Sequence, residues 1–167
     1  MTTYVALLRA VNLGAGSTLP MAELKAMCAA AGFANVRTYI ASGNVVFEAE
    51  GSEVQVKAAL DGKLKAYAGK GVLVRTAAEM AAVAKANPFP AEPGNRVVAI
   101  FLDEAPPKDA LGHIHGQADE TARLGKREIY VHYPSGQGRS KLAIPAARAG
   151  TARNMNTVAK LAEMAKG

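Results

Sequence analysis

The sequence predicts an α+β protein of two similar halves with a helix at its C-terminus. Three observations carry that expectation. Short β-branched runs such as "YVALLRA", "GNVVFEAE", "GVLVRT", "RVVAIFL" and "REIYVHY" alternate with alanine-rich stretches of helical spacing. Three of the eight prolines crowd into "NPFPAEPG" at 87–94, which neither helix nor sheet runs through, and the pattern restarts beyond it. Finally, "VRT-AAEMAAVAKA" at 74–86 and "ARN-MNTVAKLAEMA" at 152–165 each run from an arginine through a polar cap into an alanine-rich helix, which points to an internal duplication.

Taken in order, residues 3–10 form a strand with apolar residues at both parities, Val5 and Leu7 against Tyr4, Ala6 and Leu8, so both of its faces are covered. After the loop "NLGAGST", Pro20 opens a helix that Gly32 ends. "VRTYIASGNVVFEAE" at 36–50 gives two strands around Ser42-Gly43-Asn44. Ser52 caps a helix over 53–68 whose Val56, Leu60, Leu64 and Tyr67 share a stripe. A strand at 71–76 and a helix at 77–86 close the first half. The second half has strands at 96–102, 120–124 and 127–133, helices at 107–117 and 141–148, an extended "GTAR" and a terminal helix at 155–166. A βαββαβ order read twice predicts two ferredoxin-like (alpha-beta plait) halves. Residues 1–88 form the N-terminal one with an extra helix, and 89–167 the C-terminal one with the terminal helix.

The bulk numbers exclude several classes. Half of the 167 residues are apolar and 20% are charged, as in ordinary globular proteins. The single cysteine, Cys28, cannot form an internal disulfide, which suits a reducing compartment. The N-terminus lacks a basic leader region, and no stretch approaches the ~18 apolar residues of a membrane span, so a cytoplasmic protein without a membrane partner is expected. The net charge of +6 favours weak attraction to polyanions, but the basic residues are scattered and no four are consecutive.

Five segments in order, "YVALLRAVNLG", "VRTYIASGNVVF", "NPF", "GRSKL" and "TARNMNTVAKL", resemble a bacterial family of uncharacterised proteins, domain of unknown function 1697. The resemblance covers nearly the whole chain. It implies two alpha-beta plait subdomains and no particular activity. The family's terminal motif typically carries Trp between its two asparagines, and here that position is Met155. A flexible apolar side chain in that place implies packing rather than ring stacking.

Catalytic chemistry is not marked out. His113 and His115 are two apart on a predicted helix and point away from each other, and His132 has no Cys or acid at a ligand spacing. Cys28 shares an apolar stripe with Met21, Leu24 and Ala31, as an inert core cysteine does. No nucleophile elbow occurs and no pair of carboxylates is marked out for acid–base work, so no catalytic residue, metal or cofactor is assigned. Base stacking on RNA is disfavoured because only Phe47 and Tyr39 are available on their strands.

Anion binding is the chemistry the residues favour. "GQGRSKL" puts Arg139, Ser140 and Lys141 at a predicted helix start, where amides, a hydroxyl and two cations suit a phosphate. In "GTARNMNTVAKL", Asn154 would serve as a cap, or Thr157 if the helix begins later, leaving Arg153, Asn156 and Thr151 to stitch the protein together or to hold a ligand. Arg9, Arg37 and Arg75 stand near the ends of apolar strands, and a guanidinium there needs a carboxylate, carbonyls or a bound anion. Asn12, Ser42 and Asn44 in the adjoining loops complete the candidate set. The expectation is a small anionic ligand, a nucleotide or phosphorylated metabolite, held between the two halves. A nucleic-acid or protein-interaction module and an enzyme using the same cleft are the alternatives.

Overall fold

Strand β1 (Thr2–Leu8) shows why the first sheet is a buried layer. Tyr4, Ala6 and Leu8 join one apolar cluster, while Val5 and Leu7 on the other side are also fully buried. The structure is a computed structural model and describes residues 1–9, 21–39, 43–65 and 71–166. Along the chain follow α1 (Met21–Ala30), β2 (Ala34–Tyr39), β3 (Asn44–Ala49), α2 (Glu53–Leu64), β4 (Val72–Thr76) and α3 (Ala77–Lys85). Then come β5 (Val97–Phe101), β6 (Thr121–Leu124), β7 (Glu128–His132), β8 (Thr151–Asn154) and α4 (Met155–Ala165).

These strands form two four-stranded antiparallel sheets with the same order, β2-β3-β1-β4 and β6-β7-β5-β8. The fold is therefore α+β with two similar halves and a C-terminal helix. The chain divides into two compact units, residues 1–80 with 161–167 and residues 81–160.

In the first unit the core face of the sheet packs against α1 through Leu24 and Cys28 and against α2 through Val56, Leu60 and Leu64. Local chemistry sets the ends of both helices. Gly32, at φ 86°, and Phe33 return N–H groups to the carbonyls of Ala29 and Cys28, a Schellman stop for α1. Ser52 and Gln55 exchange side-chain and backbone hydrogen bonds in a capping box that opens α2. Thr76 and Glu79 do the same for α3.

The second unit differs from the sequence expectation in its helices. The helix predicted at 107–117 is a single 3-10 turn, Ala110–His113, and that predicted at 141–148 is another, Pro145–Ala147. Gly112 weakens the first segment, and Pro106 and Pro107 delay its start. Pro145 lacks an N–H and disfavours a helical Ile144, which is indeed extended at φ −117°, ψ 104°. These turns still bury apolar residues: Leu111, Ile114, Leu142, Ile144, Ala146 and Ala147 pack with Val98, Ile100 and Val131 of the sheet.

Candidate functional site

The sheet registers align arginines in both units. Arg37, Val46, Val5 and Arg75 occupy one cross-strand row of the first sheet. Arg123, Tyr130, Ala99 and Arg153 occupy the matching row of the second. As the βαββαβ order implies, β1 and β4 are neighbours. Arg9 follows just beyond β1, and its backbone N–H donates to the Gly71 carbonyl.

Most of this arginine chemistry is answered within the chain. Arg37 Nη1 donates to the Met164 carbonyl at 2.7 Å, in the last turn of α4, and its Nε to the Asn35 carbonyl. A register irregularity lies just before it, between Ala34 and Arg37, with Asn35 at φ 52°. Arg75, 1% exposed, donates to the carbonyl of Val74, and Arg153 makes the equivalent bond to Ala152 at 2.8 Å. Arg153 also donates to Thr151 Oγ1. Burial pulls its pKa down to about 10, still well above neutrality. Among the described residues, no buried side-chain nitrogen or oxygen lacks a hydrogen-bond partner.

The polar start of α4 is similarly occupied. Asn154 Oδ1 accepts the Thr157 N–H at 2.9 Å, an N-cap bond. Thr157 is buried, and the exposed Asn156 lies against Gly94, where an added Cβ would sit only 2.1 Å from its Oδ1. Met155, at the position where the resembled family carries Trp, is buried and packs as an apolar residue. Asn44 is buried and donates from its amide to the Tyr39 carbonyl. Asn12 and Ser42 lie outside the described residues.

Arg139, Ser140 and Lys141 have a different setting. They line a hollow of about 640 Å³ in the second unit, together with Gly116, Ala118, Asp119, Glu120, Ser135 and Gly136. No helix begins here, contrary to expectation: Gln137–Arg139 is one 3-10 turn. The Ser140 hydroxyl is committed, donating to Glu120 Oε2 and accepting the Leu142 N–H. Arg139 and Lys141 are exposed on this hollow, and among the described residues neither is paired with a carboxylate.

Backbone contacts fix the wall that carries Lys141. His115 and Ala143 exchange both N–H···O bonds, which clamps the two loops together. Beside them, Gly116 takes φ 71°, and a Cβ there would lie 2.2 Å from the Lys141 carbonyl oxygen. Glu120 accepts the Ala118 N–H on its other oxygen, and Asp119 accepts the Ser135 hydroxyl at 2.6 Å. Arg96 Nη1 holds the Pro134 carbonyl and so supports the turn carrying Ser135 and Gly136. Gly116, Asp119, Glu120, Ser135 and Gly136 were not among the sequence candidates. They reach the hollow from loops far apart in sequence, so no local spacing marks them.

The arrangement suits binding better than acid–base chemistry. The Ser140 hydroxyl, with help from the Ala118 N–H, holds the Glu120 carboxyl below its ordinary value, which makes it a weak base. Burial pushes Cys28 up to about 11, so it stays an unreactive thiol. His132 has found an acid after all, Glu92 Oε2 at 3.3 Å from the proline-rich segment, and rests against Phe89. His113 pairs with Asp109, and no cluster of metal-ligating residues occurs among those described. Phe47 is fully buried and stacked on Phe33, so it offers no base a surface. No described helix is long and apolar enough to cross a membrane.

Comparison with known proteins bears on the fold and the family. A family profile described as "Protein of unknown function (DUF1697)" matches residues 1–130. A solved structure of a conserved bacterial protein from Streptococcus pneumoniae is 27% identical, with a TM-score of 0.83 covering all of this chain and 99% of that one. No curated protein matches.

Proposed function

The chain belongs to the DUF1697 family, and on that premise we propose that it binds a small anionic ligand, a nucleotide or phosphorylated metabolite, anchored by Arg139 and Lys141. One observation carries the reading: two exposed cations, unpaired with carboxylates among the described residues, line a hollow of ligand size. Arg37, Arg75, Arg153 and the start of α4 have acceptors or caps in the chain and serve the sheets and the helix. They are not part of the proposed contact set.

Thermal-shift and calorimetric titration with AMP, ribose 5-phosphate and inorganic phosphate test it. A ligand at a hundred times its Kd adds about 2.7 kcal/mol to stability, or roughly 5–10 °C for a chain of this size. The expected result is such a rise for at least one of these probes, abolished in Arg139→Ala/Lys141→Ala while the ligand-free Tm is unchanged. A flat response from the wild-type chain would sink the reading. Co-purifying nucleic acid that leaves with salt would favour a nucleic-acid module instead.

A further inference from the structure

Resting on the reading above, we infer that the ligand is a hydroxyl-bearing phosphomonoester, such as a ribose phosphate, rather than a bare anion. The charges in the hollow do not have one sign. Arg139 and Lys141 share it with Asp119 and Glu120, so a polyanion that filled it would meet two carboxylates. The carboxylates differ in how far they are used. Glu120 has one oxygen on the Ala118 N–H and the other on the Ser140 hydroxyl. Asp119 is exposed and takes the Ser135 hydroxyl on Oδ2, which leaves acceptor capacity on a group with about four lone-pair sites. Ser135 Oγ, having donated its proton to Asp119, can itself only accept.

The hollow thus offers a ligand acceptor oxygens as well as cations. Hydroxyls satisfy the acceptors, and a carboxylate is the group that takes ribose hydroxyls in dinucleotide sites. A phosphate fork on Arg139 and Lys141 with hydroxyls toward Asp119 and Ser135 leaves no like charges facing each other.

Calorimetric titration of the full chain with ribose 5-phosphate and with inorganic phosphate tests this. In the wild type, ribose 5-phosphate should bind at least about tenfold more tightly, the worth of one hydrogen bond to a charged group. Asp119→Ala should erase that advantage without weakening inorganic phosphate. Ser135→Ala, which frees Asp119 but keeps its charge, should retain most of it, and an unchanged Tm confirms that each variant is folded. Equal affinities in the wild type, or an advantage that survives Asp119→Ala, would overturn this inference and leave the anion-binding proposal standing. Failure of both probes to bind overturns this inference, and if AMP fails as well the anion-binding proposal falls with it.

Discussion

The two units share a sheet order and an arginine row but not a roof. In the first, the core face of the sheet lies under two capped helices of ten and twelve residues. In the second, two single 3-10 turns and their flanking loops do the same work. The strand–arginine–cap–helix sequence is the part both units keep: Arg75-Thr76 leads into α3 and Arg153-Asn154 into α4. What covers the sheet is therefore free to vary, and the hollow lies in the unit with the shorter cover. Helices place side chains at fixed spacing, whereas short turns leave loops whose polar groups can face a ligand.

The contrast predicts different weak points. A helical roof depends on filling volume, so Leu60→Ala, at a fully buried position in α2, is expected to cost the most, about 2–5 kcal/mol in denaturant unfolding. A turn-built roof depends instead on close backbone approach. A Cβ at Gly150 would sit 2.4 Å from the Phe101 carbonyl oxygen and 2.8 Å from Leu102 Cδ2. Gly150→Ala is expected to cost about 1–3 kcal/mol, because backbone oxygen cannot swing aside. Gly62, inside α2, has nothing within 4 Å of its Cβ direction, and Gly62→Ala should gain about 0.5–1 kcal/mol. If the two glycine substitutions moved stability the same way, the difference between the roofs would not be one of backbone contact.

How much of this the sequence disclosed follows from the range of the interactions. The strands, the end of α1 and the start of α2 are legible because stops and caps such as Gly32 and Ser52–Gln55 act over a few residues, whereas α2 ends at Leu64 and its expected end at 68 lies outside the described residues. The single turns of the second unit differ from the expected helices because Gly112 and Pro145 act against helix through local sterics. Arg139, Ser140 and Lys141 announced themselves by composition. Their surroundings did not, since the contact of Gly116 with the Lys141 carbonyl and the Ser140–Glu120 bond close over loops far apart in sequence. For the same reason the acceptors of Arg37 on Met164 and the partner of His132 on Glu92 had no local signature.

The smallest expected effect separates the units by pH. Two carboxylates of the second unit are held below their ordinary values, Glu120 by the Ser140 hydroxyl and Asp109 by His113. A carboxyl whose folded pKa is depressed contributes stability that is whole above its unfolded pKa, about 4.3 for Glu, and lost as pH falls through the folded value. Hydrogen exchange followed from pH 6 down to pH 3 should thus show protection around 115–143 falling ahead of that in β1 and β3. Glu120→Gln removes the titrating group and keeps one acceptor, so it should lower protection slightly at pH 6 and flatten the decline below pH 4. A decline that runs parallel in the variant would mean that the Ser140–Glu120 bond does not set the acid sensitivity of the hollow. The short roof would then be held by its backbone bridge, His115 to Ala143, rather than by the carboxylate beneath it.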